Sequence, residues 1–445
     1  MIYRKALDYL ISWKNSGNRK PLVLRGARQV GKSTLVEIFS RHYDTYLKLN
    51  LEKPSDSILF DKYKDTVTLL KAIYLHNKKV ITKKSTLLFI DEIQHNARAI
   101  SMLRYFYEEA PHIHVVVAGS LLESLLNQKK VIFPVGRVEY YPVRPCSFLE
   151  FLDGIGEEYD KNLIETTDAE PAHQRLMNLF REYALVGGMP EAVVQYSKNR
   201  DILSVSKVYE SLLAAYIDDA EKYAANDTEN KIIRHCLKAG WKKAAEVITF
   251  EGFAGSSYKS REVGNALRTL QKAFLADLVY PAGSTELPAL PNLNKRPKLF
   301  WLDTGLVNFY SKIQTNVFSV NDISDLWRGR IAEHITGQEL ICKNESVLAE
   351  LMYWRRDVQG SDAEIDFLYQ YDTKLIPVEV KSGHNSKLKS LHIFMNDAPH
   401  NFAIRIWQNS LSVDDLQTSA GKKIRLLNLP FYYISVLDKI VSRYI

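Results

Sequence analysis

Cysteine is scarce in this sequence, and its scarcity excludes two kinds of protein. The three cysteines, Cys146, Cys236 and Cys342, are an odd number at wide spacing, so they supply neither a disulfide framework nor a zinc ligand set. Long apolar runs are also missing, since a run such as residues 87–90 is far shorter than the ~18 residues of a membrane span. The first residues contain no apolar secretory segment. We therefore expect a cytoplasmic protein that contacts no membrane.

Glycine and proline, at 20 and 15 residues, are too few for a collagenous or disordered chain. The contents of 46% hydrophobic and 25% charged residues are typical of a globular protein. A length of 445 residues predicts about three domains at roughly 150 residues each. The formal net charge of +7 is a mild basic excess, which permits contact with nucleic acid without requiring it.

The order of apolar and amphipathic segments divides the chain. Short apolar runs alternate with amphipathic stretches between residues 21 and 143, which predicts βαβ units around a buried parallel sheet and a core domain over residues 1–145. Long helical segments follow and predict a helical lid over residues 146–230. Residues 316–445 begin with a helix and continue into paired strands. The predicted fold class is therefore α/β, with a second α/β domain at the C-terminal end.

A third segment, residues 231–315, contains an amphipathic helix predicted from Ser260 to Phe274. Its apolar residues follow the i, i+3, i+4, i+7 spacing of one buried helix face. The opposite face is polar and largely basic: Arg261, Asn265, Arg268 and Lys272. This helix resembles the recognition helix of a winged helix-turn-helix, with residues 281–298 as the wing. The alternative is an ordinary amphipathic helix with a solvated basic face.

A phosphate-binding motif follows the strand predicted at residues 22–25. Residues 26–33, Gly-Ala-Arg-Gln-Val-Gly-Lys-Ser, match G-x-x-x-x-G-K-[ST] and precede a helical run. The glycines let backbone N–H groups surround phosphates, Lys32 reaches the β and γ phosphates of ATP from the solvent side, and the Ser33 hydroxyl ligates Mg²⁺. A glycine turn with a surface lysine is the alternative. The predicted nucleotide-binding residues are Gly26, Ala27, Arg28, Gln29, Val30, Gly31, Lys32, Ser33 and Thr34.

Two acidic residues end the apolar strand at residues 87–90. A buried parallel strand delivers its C-terminal residues to the ligand edge of the sheet. Asp91 is placed there to hold Mg²⁺ through water, and Glu92 to orient or deprotonate the attacking water. Because Glu92 is present, ATP hydrolysis is favoured over a nucleotide switch. The alternative is a strand followed by solvated acids.

Three further polar residues are candidates for the same site. Ser120 ends the strand that begins at His114, so it is predicted either to contact the γ-phosphate or attacking water or to cap the strand. Arg137 follows a predicted loop and is a candidate arginine finger, acting in its own chain or toward a neighbouring subunit. Arg144 competes for that role.

Five segments together carry a family resemblance: residues 25–34, residues 88–94, residues 117–120, Gly136-Arg137 with the residues that follow, and Gly187-Gly-Met-Pro-Glu191. Over essentially its whole length, the chain resembles the prokaryotic AAA+ family of ATPases fused to a C-terminal domain of unknown function. The resemblance implies ATP binding in an AAA+ core. It does not define a physiological substrate.

The C-terminal segment contains a second constellation of charged residues. Glu379 and Lys381 fall on one face of a strand, and Asp366 lies on the partner strand of a predicted hairpin. Glu333 stands in the preceding helix. This arrangement resembles the PD-(D/E)xK nuclease fold, in which Glu333, Asp366 and Glu379 would bind a divalent metal ion and Lys381 would position the hydrolytic water. The alternative is that the fold is retained without an active metal site. In that case the carboxylates form salt bridges with three basic residues: Lys381, Arg355 and Arg356.

Two functions follow from these predictions. The first is an ATP-hydrolysing AAA+ protein, with ATP and Mg²⁺ as cofactors, that acts on DNA or RNA through the winged helix and a metal-dependent nuclease-like domain. The second is a nucleotide-dependent regulatory or scaffold protein whose C-terminal domains bind only protein partners. An arginine finger acting between subunits would require the chain to form an oligomer with itself.

Overall fold

The computed structural model describes residues 2–82, 84–119, 132–312, 329–357, 362–381 and 388–445. Its first sheet has five strands, all parallel, in the order β2-β3-β4-β1-β5. The strands are β1 (Leu22–Arg25), β2 (Thr45–Asn50), β3 (Thr86–Asp91), β4 (Ile113–Ala118) and β5 (Glu139–Pro142). The first five helices are α1 (Ala6–Asn15), α2 (Lys32–Phe39), α3 (Pro54–Lys62), α4 (Thr66–His76) and α5 (Ala97–Glu109).

Both faces of this sheet are covered by helices. Leu24 and Phe89 belong to the apolar cluster that includes residues of α1 and α2, whereas Val23 and Leu88 belong to the cluster that includes α4 and α5. Side chains alternate between the faces of a strand, and strands buried on both faces read as continuous apolar runs. The predicted α/β class with a buried parallel sheet is confirmed.

Helices dominate the next part of the chain. They are α6 (Phe148–Gly154), α7 (Glu158–Thr166), α8 (His173–Val186), α9 (Pro190–Ser197), α10 (Ser206–Asp218) and α11 (Ala220–Tyr223). Ser147 caps α6 with a capping box, because its hydroxyl accepts from the Glu150 N–H while the Glu150 side chain accepts from the Ser147 N–H. The helical texture agrees with the prediction, and its role as a lid stays a prediction.

Two helices and an antiparallel strand pair follow. They are α12 (Asp227–Ala239), α13 (Ser260–Lys272), β6 (Ala276–Ala282) and β7 (Lys298–Trp301). The α13 helix buries its apolar residues, Val263, Ala266, Leu267 and Leu270, and exposes Arg261, Asn265, Arg268 and Lys272. The winged helix-turn-helix stays a prediction.

The remaining helices and strands complete the chain, and their strands contribute to two further sheets. They are α14 (Thr304–Tyr310), α15 (Arg330–Cys342), β8 (Met352–Arg356), β9 (Ala363–Ile365), β10 (Phe367–Tyr371), β11 (Lys374–Val380), α16 (Lys389–Asp397), β12 (Phe402–Trp407), β13 (Ser412–Gln417), β14 (Lys423–Pro430) and α17 (Leu437–Tyr444). One sheet has the order β10-β11-β12-β14-β13, and the other has the order β7-β6-β8-β9.

The second of these sheets joins two segments that the sequence separates. Strand β6 pairs with β7 on one side and with β8 on the other, so the predicted boundary between residues 315 and 316 divides two segments that share a sheet. Strand pairing over this distance leaves no local sequence signal, because register depends on the final packing of each face.

Among the described residues, no helix is both long and apolar enough to cross a bilayer.

Candidate nucleotide site and C-terminal carboxylate cluster

The phosphate-binding loop turns sharply between β1 and α2. Gly26 has a φ of 151°, and a Cβ atom placed on it would lie 2.2 Å from the Val143 carbonyl oxygen. Gly31 has a φ of 91° and immediately precedes α2. Only glycine combines this backbone geometry with such a close approach. The loop therefore leads directly to the N-terminus of a helix, where free backbone N–H groups favour anions.

Lys32, the first residue of α2, is buried and has two backbone partners in the loop. Its Nζ donates to the carbonyl oxygens of Gly26 and Ala27, at 2.9 and 2.7 Å. Burial lowers the pKa of Lys32 to about 8, against the raising effect of Glu92 and Asp91. The predicted solvent-side position of this lysine is therefore wrong: the loop folds around the ammonium group because its carbonyls satisfy the ammonium donors.

Ser33 and Asp91 are brought together as predicted, since the Ser33 Oγ donates to the Asp91 Oδ2 at 2.7 Å. Asp91 is the last residue of β3, and burial raises its pKa, with a smaller raising effect from Glu92. A serine hydroxyl beside a carboxylate is a donor set that suits Mg²⁺.

Glu92 follows Asp91 in a left-handed backbone conformation, with a φ of 50°. Its N–H donates to the Asp91 Oδ1 at 3.1 Å, and its Oε2 accepts from the side-chain amide of Gln94. Gln94 was noted only as part of the family resemblance, and no role was predicted for it. Strained backbone beside a ligand site is a recurring feature of catalytic centres.

A cavity of about 520 Å³ connects these residues. It is lined by six of the predicted residues of the loop and both acids, and also by residues outside those motifs: Ile2, Arg4, Leu35, Ile38, Pro190, Glu191 and Val194. Arg4 supports the loop, since its Nη1 donates to the Val30 carbonyl at 3.0 Å. Of the residues outside the motifs, Pro190 and Glu191 were noted only as part of the family resemblance, and Arg4 carried no sequence signal.

The helical segment is tied to the phosphate-binding loop through Arg28. The Arg28 Nη1 lies 2.7 Å from the Asp219 Oδ2, and the Arg28 carbonyl accepts from the Tyr216 hydroxyl at 3.0 Å. Tyr216 is in α10, and Asp219 lies between α10 and α11. The hydrogen bond and charge of Asp219 raise the pKa of Arg28. Movement of this segment would therefore move a residue of the loop.

The remaining candidates of the nucleotide site lie elsewhere. Ser120 lies outside the described residues. Arg137 is two positions before β5, and β5 pairs in parallel with β1 in the register Leu22 to Glu139. It therefore lies at the edge of the sheet opposite the loop, roughly 10 Å or more away at about 3.3 Å per strand residue. An action of Arg137 within its own chain is not supported.

Arg137 and Arg144 both have other partners in the fold. The Arg137 Nε pairs with the Glu108 Oε1 at 2.8 Å, with 41% of the arginine side chain exposed. Arg144 is largely buried, lies 3.6 Å from Asp277 and packs over the Phe274 ring. Arg144 is therefore fixed by packing, whereas Arg137 remains accessible to a second molecule.

The C-terminal candidates converge where three strands meet α15. Asp366 stands between β9 and β10, and its Oδ2 accepts from the Val380 N–H at 2.7 Å. Glu379 is buried, and its Oε1 pairs with the Lys381 Nζ. The predicted hairpin is present, because β10 and β11 pair with Phe367 opposite Val378. The structure thus brings Asp366, Glu379 and Lys381 together.

A lysine that the sequence analysis missed lies inside this cluster. Lys298, the first residue of β7, has 3% of its side chain exposed, and its Nζ lies 2.6 Å from Glu333, 2.7 Å from Glu364 and 3.7 Å from Asp366. Lys298 carries no motif signal and comes from another predicted domain. Of the predicted salt-bridge partners, Arg355 lies 3.9 Å from Glu364, whereas Arg356 pairs with Asp397.

Burial and crowding set the protonation of this cluster. Burial raises the pKa of Glu333 and of Glu379, and repulsion from Asp366 adds to both effects. Burial alone would lower the pKa of Lys298, but the charges of Glu333, Asp366 and Glu364 raise it above its ordinary value. Lys298 is therefore an ammonium ion at neutral pH. Within the described ranges, no group of three or more His, Cys, Asp or Glu side chains is arranged to hold a metal ion.

Comparisons with known protein families match three parts of the chain. Residues 18–152 match the model of an AAA domain. Residues 177–317 match a domain of unknown function (DUF8612), and residues 328–429 match another domain of unknown function (DUF4143). The chain therefore carries an AAA-type ATPase domain in a P-loop fold, fused to C-terminal domains of unknown function. No curated protein matches the sequence.

Several solved structures resemble the chain distantly. A Walker-type ATPase of Pyrococcus abyssi is 14% identical, with 70% of this chain and 96% of that chain covered and a TM-score of 0.43. A signal transduction ATPase with a tetratricopeptide repeat sensor from Pyrococcus horikoshii is 10% identical, with 77% of this chain and 46% of that chain covered and a TM-score of 0.30. The Aeropyrum pernix ORC1 protein in complex with DNA is 11% identical, with 72% of this chain and 95% of that chain covered and a TM-score of 0.27.

Proposed function

We propose that this chain binds and hydrolyses ATP in the cavity beside the phosphate-binding loop and uses that cycle to act on nucleic acid. The hydrogen bond from Ser33 to Asp91 is the observation that supports the first half of the proposal, because a hydroxyl and a carboxylate that lie side by side suit Mg²⁺. Lys32 and Glu92 line the same cavity, so the charges needed for phosphate binding and for water activation are present together.

The residues of the cavity divide into three roles. Backbone N–H groups of the loop and Lys32 would bind the phosphates, with the ammonium leaving the carbonyls of Gly26 and Ala27. Ser33 and Asp91 would hold Mg²⁺, which when bound neutralises charge on the β and γ phosphates. Glu92 would orient and deprotonate the attacking water. The apolar side chains Ile2, Ile38 and Val194 suit the adenine base.

Action on nucleic acid is supported by the exposed face of α13. Arg261, Arg268 and Lys272 are all exposed, while the opposite face of the helix is buried. Exposed cations on a helix followed by a strand pair are suited to phosphate contacts along a groove. The C-terminal cluster would add a metal-dependent nuclease step, with Asp366 and Glu379 as metal ligands and Lys381 beside them.

One observation favours a second candidate function, a nucleotide-dependent regulatory or scaffold protein that binds protein partners. Lys298 already neutralises part of the carboxylate cluster, which suits a salt-bridged core without nuclease chemistry. In that case the basic face of α13 would bind an acidic protein surface.

Salt dependence separates these functions. We expect purified wild-type protein to hydrolyse ATP, the Lys32→Ala variant to lose nucleotide binding, and DNA affinity to fall steeply as salt is raised, because phosphate contacts release counterions. The double variant Arg261→Ala, Arg268→Ala should reduce the slope of log affinity against log salt by about 2, since each phosphate contact contributes about 1. Lys71→Ala, which removes an exposed charge from α4, is the matched control. DNA and RNA affinities that are the same in the α13 variant as in wild type would favour the regulatory function.

A further inference from the structure

Lys298 begins strand β7, and this strand is hydrogen-bonded to neighbouring backbone on both sides. On one side, β7 pairs with β6, with Lys298 opposite Val279. On the other side, the Leu299 N–H donates to the Glu246 carbonyl at 3.0 Å, and the Leu299 carbonyl accepts from Ala245 at 2.7 Å. The Tyr353 ring also packs against the ammonium, with its centroid 4.9 Å from Nζ. The position of Lys298 is therefore fixed by the backbone of the strand pair that follows α13.

The groups around Lys298 are carboxylates, the ligand type of hard divalent cations, but with Lys298 in place they are not arranged to hold a metal ion within the described residues. Its Nζ lies within 2.7 Å of carboxylate oxygens from both Glu333 and Glu364, and 3.7 Å from Asp366. Hard divalent cations take carboxylate ligands of this kind. An ammonium ion in this position supplies one positive charge, where a divalent ion would supply two.

The cluster also contains more carboxyl groups than lysines. Four carboxyl groups, from Glu333, Glu364, Asp366 and Glu379, face two lysines, Lys298 and Lys381, and burial raises the pKa of Glu333 and of Glu379 toward the neutral form. Among the described residues, the Glu379 Oε2 is buried and has no hydrogen-bond partner, and the whole residue is only 5% exposed. A buried carboxylate oxygen without a partner is costly, and the charge of Asp366 next to it adds to that cost.

We propose that Lys298 Nζ and a divalent metal ion compete for the same position among Glu333, Glu364 and Asp366. The docked strand pair, which belongs to the same unit as the basic helix α13, thereby keeps the metal out of the nuclease-like cluster. This inference rests on the proposed metal-binding role of the cluster and adds the residue that limits it. Removing the ammonium leaves an uncompensated buried charge, which a divalent ion can then stabilise.

The test is titration calorimetry of the full chain with Mn²⁺ alone, without nucleotide. We expect Lys298→Met to bind Mn²⁺ at least about tenfold tighter than wild type, because the competing charge is gone. Adding Asp366→Asn should abolish the gain, which separates this site from Ser33 and Asp91. Lys295→Met is the matched control, since Lys295 lies three residues before Lys298, in the loop that leads into β7, and pairs with Asp357.

Each outcome decides a different statement. Equal, Asp366-dependent affinity in wild type and Lys298→Met would overturn the competition and leave the nuclease proposal standing. Absence of Asp366-dependent binding in both proteins would overturn the competition and the metal-dependent nuclease together, with the ATPase proposal untouched.

A folding readout covers the case in which Lys298→Met is unstable. The variant Lys298→Met, Glu364→Gln removes one charge of each sign and serves in its place. We expect Mn²⁺ to raise the melting temperature of either variant more than that of wild type, compared at equal ionic strength. A variant that stays unfolded in Mn²⁺, or gains no more than wild type, counts against the competition.

Discussion

The nucleotide site and the C-terminal carboxylate cluster both contain a buried lysine among acids, but they are built in opposite ways. In the nucleotide site, Lys32 comes from the same short motif as its carbonyl partners and faces a cavity of about 520 Å³. In the cluster, Lys298 comes from a different part of the chain and directly contacts Glu333 and Glu364.

The two sites therefore differ in how readily each could accept a ligand. The nucleotide loop holds its lysine with neutral carbonyls, which lose little when the ammonium turns toward a phosphate. The cluster holds its lysine with carboxylates, and breaking such a buried ion pair leaves an uncompensated charge that costs about 3–5 kcal/mol. The first site is therefore prepared for a ligand, whereas the second needs a rearrangement or a substitute cation.

The largest expected effect is on the prepared site. Glu92→Gln should lower the rate of ATP hydrolysis by about 10² or more, because a general base is lost, while ATP binding persists. Single-turnover hydrolysis and nucleotide-binding titrations measure the two quantities separately. Glu37→Gln, at an exposed position of α2 that pairs with Lys48, is the control. Hydrolysis at the wild-type rate in Glu92→Gln would show that Glu92 is not the base.

The second prediction tests whether the two sites act independently. Any nuclease activity should disappear in Asp366→Asn and in Lys381→Ala, because each removes a group that would hold metal or water. ATPase activity should stay within about twofold of wild type, since substitutions at distant sites are usually additive. Parallel nuclease and ATPase assays on one preparation measure this. A matching loss of ATPase activity would show that the two regions are coupled.

A smaller effect is expected at Arg137, which lies away from the cavity of its own chain. Arg137→Ala should lower turnover by about tenfold or more and change ATP affinity little, because the guanidinium would meet charge that develops during phosphoryl transfer. Mixing it with Lys32→Ala subunits should restore activity if the arginine acts between chains. Turnover that is unchanged in Arg137→Ala removes this residue from the reaction.

The smallest effect concerns pH. Because burial lowers the pKa of Lys32 to about 8, the empty loop loses its ammonium charge as pH rises through that value. Bound phosphate favours the charged form, so ATP affinity should be steady just below pH 8 and fall by up to about tenfold per pH unit above it. Equilibrium binding of ATP between pH 7 and 9.5 measures this. Lys32→Arg, which stays charged, should give a flat profile, and an equally steep fall in that variant would contradict the assignment to Lys32.

Much of the fold was predictable because the signals are local. Helix α13 was predicted from Ser260 to Phe274 and occupies Ser260–Lys272, and the β10–β11 hairpin follows from two strands joined by a short turn. The pairing of β6 with β8 was not predictable, because strands far apart in sequence meet only through packing. The contribution of Arg4 and Pro190 to the lining of the nucleotide cavity was not predictable from local patterns either, because it also depends on the packing of distant segments.

The phosphate-binding loop could be predicted from the sequence alone, since the glycines, Lys32 and Ser33 form one contiguous segment whose geometry follows from residue type and spacing. The convergence of Asp366, Glu379 and Lys381 could also be predicted, because a hairpin with period-two alternation fixes their relative positions. The entry of Lys298 into the cluster follows only from the packing of the folded chain. Charge contacts between distant strands depend on which sheets pair and on the low exposure of the packed site, and neither is encoded in a local pattern.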